Sequence, residues 1–387
     1  MAIDVDAARQ DTRGTAHATH LDSAGSSLMP RPVADAVVAH LRREELVGGY
    51  AAAAEAAERL EAVYSSLARL IGSSPGEIAV LESGSTAWAA AVSRLRPAAP
   101  RVLLGRTEYW HNVLVLRRLA RRDGLELVVL DDDAHGQVDV AHLRRELDRG
   151  DVGMVALTHV PMGGAQVQPA AEVGRACRAA GVPFVLDACQ SAGQLPLDVQ
   201  ELGCDVLVGT GRKFLRGPRG TAFVHVRREL LDRLEPELSE RRSPARDAGE
   251  GRARLLESWE TGVAARLGLG RAVDHALELG PEPIRDRVRA LAESLRGRLA
   301  ALPAVQVHDR GLVRCGIVTF SVRDRPPDRV QAHLAGQRIT VSTAPLPPPA
   351  AEQVLDPAPE HQTVAVRASV HYYNTEEELD RLAAALS

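Results

Sequence analysis

One side chain of the sequence stands out for its chemistry: Lys213 is the only lysine among the 47 Lys and Arg residues. Arginine can replace lysine as a surface cation, but its guanidinium does not deprotonate and cannot attack a carbonyl carbon. Lys213 follows an apolar run at 204–210 and precedes a glycine- and proline-containing turn at 216–220. Burial between two strands would lower the pKa of the amine. The sequence therefore predicts that Lys213 is a catalytic amine that forms a Schiff base.

Polar and aromatic side chains follow other strand-like segments. A small-residue turn with Ser85 and Thr86 offers N–H and hydroxyl groups to a phosphate, although the same residue types are common helix N-caps. Tyr109 and Trp110 could stack on a flat ligand or close the edge of a core. Asp187 ends an apolar segment, where a buried carboxylate requires a cationic or N–H partner. A phosphate cradle, an aromatic plate, a buried carboxylate and an amine are the groups that a pyridoxal phosphate site requires.

The elements that must position these side chains are short apolar segments separated by helical ones. The strand-like segments are 78–83, 101–106, 125–131, 153–160, 183–188, 205–210 and 221–226. Such runs predict an α/β fold with a mostly parallel seven-stranded sheet that is covered by helices on both faces. Gly181 marks the end of one of these helices. Because ligands bind beyond the carboxyl ends of parallel strands, the candidate residues are expected to meet there.

The predicted organisation has three parts. Residues 1–19 are expected to form a mobile N-terminal arm, 20–270 a large cofactor-binding domain and 271–387 a smaller α+β domain. The highly charged segment 227–256 is expected to be a solvated excursion from the large domain. The proline-rich segment 345–359 is stiff enough to form a wall or lid of the active site.

The composition limits both the partners and the chemistry. A net charge of -4 provides no basic field for nucleic acid, and no apolar run is long enough for a membrane span or a signal peptide. The four cysteines form no C-x-x-C pair, so neither a disulfide framework nor a metal site is expected. No G-x-G-x-x-G motif indicates nucleotide binding. We therefore expect a cytoplasmic enzyme that acts on a small molecule and binds no metal, nucleic acid or membrane.

Four motifs along the chain resemble those of the class V aminotransferases, a family of fold type I pyridoxal phosphate enzymes that includes cysteine desulfurases and isopenicillin N epimerases. The motifs are L-D-S-A-G at 21–25, D-A-C-Q at 187–190, T-G-R-K-F-L-R-G-P-R-G at 210–220 and R-A-S-V-H-Y-Y-N-T-E-E-E at 367–378. The likeness covers nearly the whole chain from about His20. It implies a fold type I architecture, pyridoxal 5'-phosphate as cofactor, an amino acid substrate and a homodimer.

The resemblance also implies roles for single residues. Lys213 would hold the cofactor, Asp187 would contact its pyridine nitrogen and Gln190 its ring hydroxyl. Arg367 would bind the α-carboxylate of the substrate through a bidentate, charge-assisted pair. Thr210 and Arg212 would complete the phosphate site, with Arg212 standing where the family has a histidine. The residues implied around the phosphate are therefore Ser85, Thr86, Thr210 and Arg212.

Besides Arg212, the chain departs from the family pattern at three further places. Trp110 stands where the family has a ring-stacking histidine, which leaves open whether Trp110 or Tyr109 stacks on the cofactor. Met162 stands where an asparagine often touches the ring hydroxyl. No cysteine occurs from Gly316 to Ser387, although cysteine desulfurases need a thiol on the loop before the carboxylate-binding arginine. The last difference argues against persulfide transfer.

Several reactions remain open for this site. Segments 44–64 and 260–270 resemble the branch of the family that cleaves carbon–sulfur bonds in sulfur-linked amino acids, as in ergothioneine assembly in actinobacteria. This branch implies β-elimination from a cysteine S-conjugate or a related thio-amino acid. The alternatives are transamination, epimerisation, or decarboxylation with oxidative deamination of the same kind of substrate. The resemblance also places Tyr50, as a substrate-binding residue, and residues 260–264 near the cofactor of the partner subunit.

Overall fold

Two main sheets and a short strand pair form the frame of the computed structural model, which describes residues 3–234, 252–346 and 364–387. The strands are β1 (Thr19–His20), β2 (Ile78–Leu81), β3 (Arg101–Leu104), β4 (Glu126–Val129), β5 (Val152–Thr158), β6 (Phe184–Asp187), β7 (Val206–Thr210), β8 (Ala222–Val226), β9 (Val305–Val307), β10 (Ile317–Val322), β11 (Ile339–Thr340), β12 (Ser342–Pro345) and β13 (Val364–Ser369). The helices are α1 (Val5–Gln10), α2 (Ser23–Ser26), α3 (Arg31–Val47), α4 (Gly49–Glu55), α5 (Ala57–Ile71), α6 (Gly84–Val92), α7 (Trp110–Asp123), α8 (Val140–Leu147), α9 (Ala170–Ala180), α10 (Val199–Leu202), α11 (Arg228–Leu231), α12 (Val263–Leu279), α13 (Pro281–Ala300), α14 (Pro327–Gly336) and α15 (Glu376–Leu386). Within the described ranges, none of these helices has the length and apolar character to cross a membrane.

The larger sheet contains the seven predicted strands in the order β2-β8-β7-β6-β5-β3-β4. Neighbouring strands of this sheet run parallel, except that β8 is antiparallel to both β2 and β7. Every residue of β5, β6 and β7 is buried, whereas the edge strand β4 is partly exposed. The central strands therefore read as continuous apolar runs because both of their faces are covered. The predicted sheet is confirmed.

Alternate residues of each strand pack against helices on opposite faces of this sheet. Val155 belongs to a core cluster that includes Leu143 of α8. Its neighbour Ala156 belongs to a second cluster, which includes Trp88 of α6. The period of two residues in a strand thus builds a helix layer on each face. Helix α9 ends at the predicted residue, Gly181, whose φ of 67° suits glycine.

The smaller sheet has the antiparallel order β12-β13-β10-β9 and carries Arg367 on β13. Helices α13 and α14 pack against it. This sheet and its helices form the small, C-terminal lobe, and the seven-stranded sheet and its helices form the large lobe. Strand β1 pairs in parallel with β11 of this lobe, with Thr19 opposite Ile339. The predicted domain boundary at residue 270 falls inside helix α12, which also packs against α3 and α5. The division of the chain at that residue stays a prediction.

The N-terminal segment that was expected to be a mobile arm makes specific contacts with the rest of the chain. Arg9 donates through Nη1 to the carbonyl of Tyr373 at 2.9 Å and pairs with Glu378 at 3.1 Å. The buried hydroxyl of Thr12 accepts from Nη2 of Arg216 at 2.5 Å. These contacts fasten α1 and the residues after it to the C-terminal lobe and to the loop that follows Lys213.

Two predicted segments fall largely outside the described residues. The charged excursion predicted at 227–256 is described only at its two ends, where α11 and a short 3-10 helix at Arg252–Leu256 lie. Residues 235–251 and 347–363 belong to the undescribed part of the chain. The wall or lid role of the proline-rich segment stays a prediction.

Gly193 packs directly against the turn that carries Lys213. It has a φ of 93°, and a Cβ atom there would overlap the backbone of Phe214. Gly181 also has a positive φ, 67°, but nothing lies within 4 Å of its Cβ position. We expect Gly193→Ala to lower the free energy of unfolding by about 1–3 kcal/mol more than Gly181→Ala, because overlap adds to backbone strain. Urea denaturation of both variants measures this difference, and equal losses would contradict the packing.

Candidate active site

The loops that follow β2, β3, β5, β6 and β7 meet around one cavity of about 290 Å³. It lies beyond the carboxyl ends of the strands, where parallel sheets bind ligands, and its size is close to that of small-molecule sites. The sequence-predicted residues that line it are Ser85, Asp187, Gln190, Thr210, Arg212 and Lys213. In the part of the chain that the structure describes, no cluster of three or more His, Cys, Asp or Glu side chains is arranged to hold a metal ion.

Lys213 is half-buried in the wall of this cavity, three residues after the end of β7. Burial lowers the pKa of its amine, because water no longer stabilises the ammonium form. Cys189 and Asp187 oppose this shift, and the positive charges of Arg212 and Arg367 add to it. The amine is therefore more readily deprotonated than that of an exposed lysine, which favours attack on a carbonyl group.

Asp187 ends the buried strand β6 and accepts two hydrogen bonds. Its Oδ2 accepts from Nδ2 of Asn112 at 2.7 Å, and its Oδ1 accepts from the backbone N–H of Cys189 at 2.8 Å. These donors supply the partners that a buried carboxylate requires. Asn112 was not among the predicted site residues. In the sequence, only its position just after Tyr109 and Trp110 pointed to a place in the site. No local pattern shows that the first turn of α7 reaches β6.

Two features of the cavity wall fit a bound cofactor. Gln190 donates through Nε2 to the carbonyl of Ala24 at 3.2 Å, but its buried Oε1 has no hydrogen-bond partner among the described residues. Leaving such a group unpaired costs free energy, which a ligand can restore. At Gly84, a Cβ atom would lie 2.5 Å from Sγ of Cys189, so only glycine lets the start of α6 approach the cavity.

The predicted phosphate residues do not all lie on the cavity. Ser85 in the first turn of α6, Thr210 at the end of β7 and Arg212 line it. Thr86 is exposed and lies outside the lining, where its hydroxyl is 2.9 Å from that of Ser83. Ser83, rather than Ser85 or Thr86, caps helix α6 by accepting from the backbone N–H of Thr86. A helix start beside an arginine can bind the dianion of a phosphate.

Of the two adjacent aromatic residues, Tyr109 lines the cavity. Its backbone N–H donates to Oγ1 of Thr158 at 3.2 Å, which holds it at the end of β5. Trp110 begins helix α7, is 45% exposed and lies outside the lining. Tyr50 lies in the first turn of helix α4, is 84% exposed and is also outside the cavity lining of its own chain. The geometry within one chain favours Tyr109 as the stacking residue.

Arg367 is buried beside the cavity, and three groups hold its guanidinium. Its Nη1 donates to the carbonyl of Met162 at 2.8 Å, its Nε donates to Oγ of Ser342 at 3.0 Å, and its Nη2 pairs with Asp22 at 3.3 Å. The hydroxyl of Ser342 also donates to Asp22 at 2.8 Å. Because Met162 lines the cavity, a carboxylate bound to Arg367 would lie at the edge of the cavity, next to Met162. Asp22 belongs to one of the quoted motifs but had no predicted role.

The placement of the two aromatic rings leads to a direct test. We expect Tyr109→Leu to weaken the binding of pyridoxal phosphate by about 3- to 10-fold, because a stacked aromatic pair is worth about 0.5–1.5 kcal/mol. The matched variant Trp110→Leu should change the dissociation constant less than about twofold, since that ring lies outside the cavity lining. Titration of the cofactor followed by its visible absorbance gives both constants. A larger effect at Trp110 would assign the stacking role to the tryptophan.

Comparisons with known proteins identify the family and agree with the fold. A family model described as aminotransferase class-V matches residues 19–382. A probable hercynylcysteine sulfoxide lyase from Mycobacterium tuberculosis is 32% identical over 377 residues, which span 95% of this chain and 89% of that protein. The isopenicillin N epimerase of Streptomyces clavuligerus is 31% identical over 341 residues, or 83% and 82% of the two chains. The apo structure of a cysteine desulfurase from Thermococcus onnurineus has a TM-score of 0.85 at 24% identity and covers 99% of this chain and 97% of its own.

The likeness to the solved structure confirms the predicted fold type I architecture. The family match accounts for nearly the whole chain, including all four motifs noted in the sequence. Class V enzymes use pyridoxal phosphate, so the predicted cofactor is confirmed at the level of the family. The chain belongs to the class V aminotransferase family of pyridoxal phosphate-dependent enzymes.

Proposed function

We propose that the protein is a carbon–sulfur lyase that acts by β-elimination on a cysteine S-conjugate or a related thio-amino acid. The observation that carries this proposal is that Lys213 lines the cavity together with Asp187 and Gln190, while no cysteine occurs from Gly316 to Ser387. A desulfurase needs a protein thiol to accept sulfur. An elimination needs only a base at the α-carbon and a sulfur leaving group on the β-carbon. The sulfoxide lyase among the relatives supports this choice.

In the proposed reaction each residue has one task. When bound, the cofactor supplies an electron sink for the carbanion at the α-carbon. Asp187 holds the protonated ring nitrogen, and Arg367 orients the substrate by its α-carboxylate. The amine of Lys213 removes the α-proton. The Cβ–S bond then breaks, and the sulfur leaves as a thiolate that takes up a proton. Water hydrolyses the remaining three-carbon fragment, which still carries the amino nitrogen, to pyruvate and ammonium.

The wall beside Arg367 supports an apolar substituent on the sulfur. Val160 and Met162 line the cavity there, and the carbonyl of Met162 accepts from the guanidinium. A substrate held by its carboxylate would place its β-carbon and sulfur near these side chains. Methionine packs well against soft, polarizable groups. An S-alkyl cysteine therefore suits this wall better than a second charged carboxylate does.

The proposed lyase activity is tested with S-alkyl cysteines and their sulfoxides. We expect pyruvate and ammonium in equal amounts, together with a thiol from the thioether or a sulfenic acid from the sulfoxide. Arg367→Lys should lower kcat/KM by about 10- to 100-fold, because a charge-assisted hydrogen bond is worth about 1.5–3 kcal/mol. Lys213→Arg should have no activity, since guanidinium keeps the charge but provides no base. Coupled assays for pyruvate and free thiol measure these rates.

The products separate the alternatives. Alanine with persulfide or sulfide would show desulfuration, and an oxo acid that retains the sulfur would show transamination. Loss of chirality without cleavage would show epimerisation, and release of carbon dioxide would show decarboxylation. Any of these in place of pyruvate would refute the lyase proposal while leaving the family assignment intact.

We also propose that the enzyme is a homodimer with shared active sites. Several large apolar side chains are exposed in or next to the segments that the family resemblance places at the partner's cofactor, around Tyr50 and at 260–264. They include Leu46 at 75%, Tyr50 at 84% and Trp259 at 73%. Exposed apolar side chains concentrated in this way indicate a surface that another protein covers. A second copy of the chain would bury them and bring Tyr50 to the neighbouring cavity.

Shared sites are tested by mixing two inactive variants, Lys213→Ala and Tyr50→Ala. If Tyr50 acts across the interface, each mixed dimer contains one intact site. Random assortment makes about half of the dimers mixed, so we expect about a quarter of wild-type activity. As a control, Tyr50→Ala mixed with the double variant has no intact site and should recover nothing. Subunit exchange confirmed by mass spectrometry without recovered activity would exclude a shared role for Tyr50.

A further inference from the structure

Glu108 is a buried carboxyl group beside the cavity, and no cation pairs with it among the described residues. It lies in the loop before α7 and is 3% exposed. Its Oε1 accepts from the backbone N–H of Thr158 at 2.7 Å, and its Oε2 lies 2.6 Å from the hydroxyl of Thr158. Buried carboxylates normally pair with a cation, because an unpaired charge is costly in the protein interior. Glu108 can avoid this cost by holding a proton.

The geometry around Oε2 accommodates both protonation states of Glu108. The hydroxyl of Thr158 can donate to an ionised carboxylate or accept from a protonated carboxyl group. It also accepts from the backbone N–H of Tyr109 at 3.2 Å in either case. The contacts that place Thr158 and Tyr109 in the cavity wall therefore persist when the proton leaves. Gain or loss of the proton requires no movement of the backbone.

Asp187 is the charged group that acts on Glu108. Thr158 is opposite Asp187 in the register of β5 and β6, so the two carboxyl groups share one end of the sheet. The other titratable residue at this end of β5 is His159, and burial lowers its pKa to about 4, so it is neutral at pH 7. Burial also raises the pKa of Glu108 to about 7; the hydrogen bonds from Thr158 oppose this shift and the charge of Asp187 adds to it.

We propose that Glu108 is a positioning residue with a movable proton: it fixes Thr158 and Tyr109 around the cofactor and releases its proton to solvent when a cation docks on Asp187. The inference rests on the proposed contact between Asp187 and the protonated ring nitrogen of the cofactor. That positive charge cancels the negative charge that disfavours ionisation of Glu108. One O–H bond of the carboxyl group breaks, and no other bond changes. Cofactor affinity should consequently rise with pH through the range in which Glu108 titrates.

Calorimetric titration of the cofactor-free full chain with pyridoxal phosphate tests this coupling. The heat measured in two buffers of different ionisation enthalpy gives the number of protons released. A group with a pKa of about 7 is half-protonated at pH 7, so we expect the wild type to release about half a proton more than Glu108→Gln. Proton changes of the cofactor itself are common to both proteins. The matched control Glu82→Gln alters an exposed carboxylate of the same cavity wall and should release as many protons as the wild type.

Equal proton release by the wild type and Glu108→Gln would overturn the proposal. If Glu108→Gln does not fold, Thr158→Val decides the matter, since it keeps the carboxyl group but removes a donor that favours the ionised form. Its proton release should persist with a maximum at higher pH, and an unchanged pH profile would also overturn the proposal. If the wild type bound no pyridoxal phosphate, the cofactor role of the site would fail rather than the role of Glu108.

Discussion

The carboxylate of Asp187 at the end of the fully buried strand β6 constrains the arrangement of the elements around it in the large lobe. Transfer of Asp187 out of water is costly unless it finds donors, and two different elements provide them. Helix α7 contributes Asn112, and the turn after β6 contributes the N–H of Cys189. The strand order β7-β6-β5 then sets Lys213 on one side of this charge and Thr158 on the other. The amine, the carboxylate and the hydroxyl are neighbours because three parallel strands end together.

The position of Arg367, the proposed substrate-binding residue, depends instead on contacts between distant parts of the chain. Arg367 comes from the small lobe, yet Asp22 near the N-terminus and Met162 of the large lobe hold its guanidinium. A second buried arginine, Arg216, follows the Lys213 turn and hydrogen-bonds to the hydroxyl of Tyr372 in the C-terminal lobe. The two lobes are therefore joined at two places, next to Lys213 through Arg216 and at Arg367. A shift of one lobe would move the guanidinium of Arg367 relative to the amine of Lys213.

The sequence predicted the elements well because their signals are local. Apolar runs showed all seven strands of the larger sheet, and the lone lysine pointed to a residue that lines the cavity. Contacts such as those of Asn112 and Asp22 were not predictable, because they arise only when a helix start or an N-terminal turn meets a distant strand. The sequence left open whether Tyr109 or Trp110 stacks on the cofactor for a related reason. At a helix start, adjacent residues point in directions about 100° apart, so an error of one position moves a ring from the cavity to the surface.

The single lysine also has a consequence for how the enzyme meets its cofactor. Free pyridoxal phosphate is an aldehyde that condenses with any accessible amine, and a protein rich in surface lysines offers many competing adducts. Here the surface cations are guanidinium groups, which do not condense in this way. The only lysine amine lies in the wall of the cavity that Arg212 and Asp187 also line, and burial lowers its pKa. The chain therefore presents the aldehyde with a single lysine amine, and no other lysine competes with it for the cofactor.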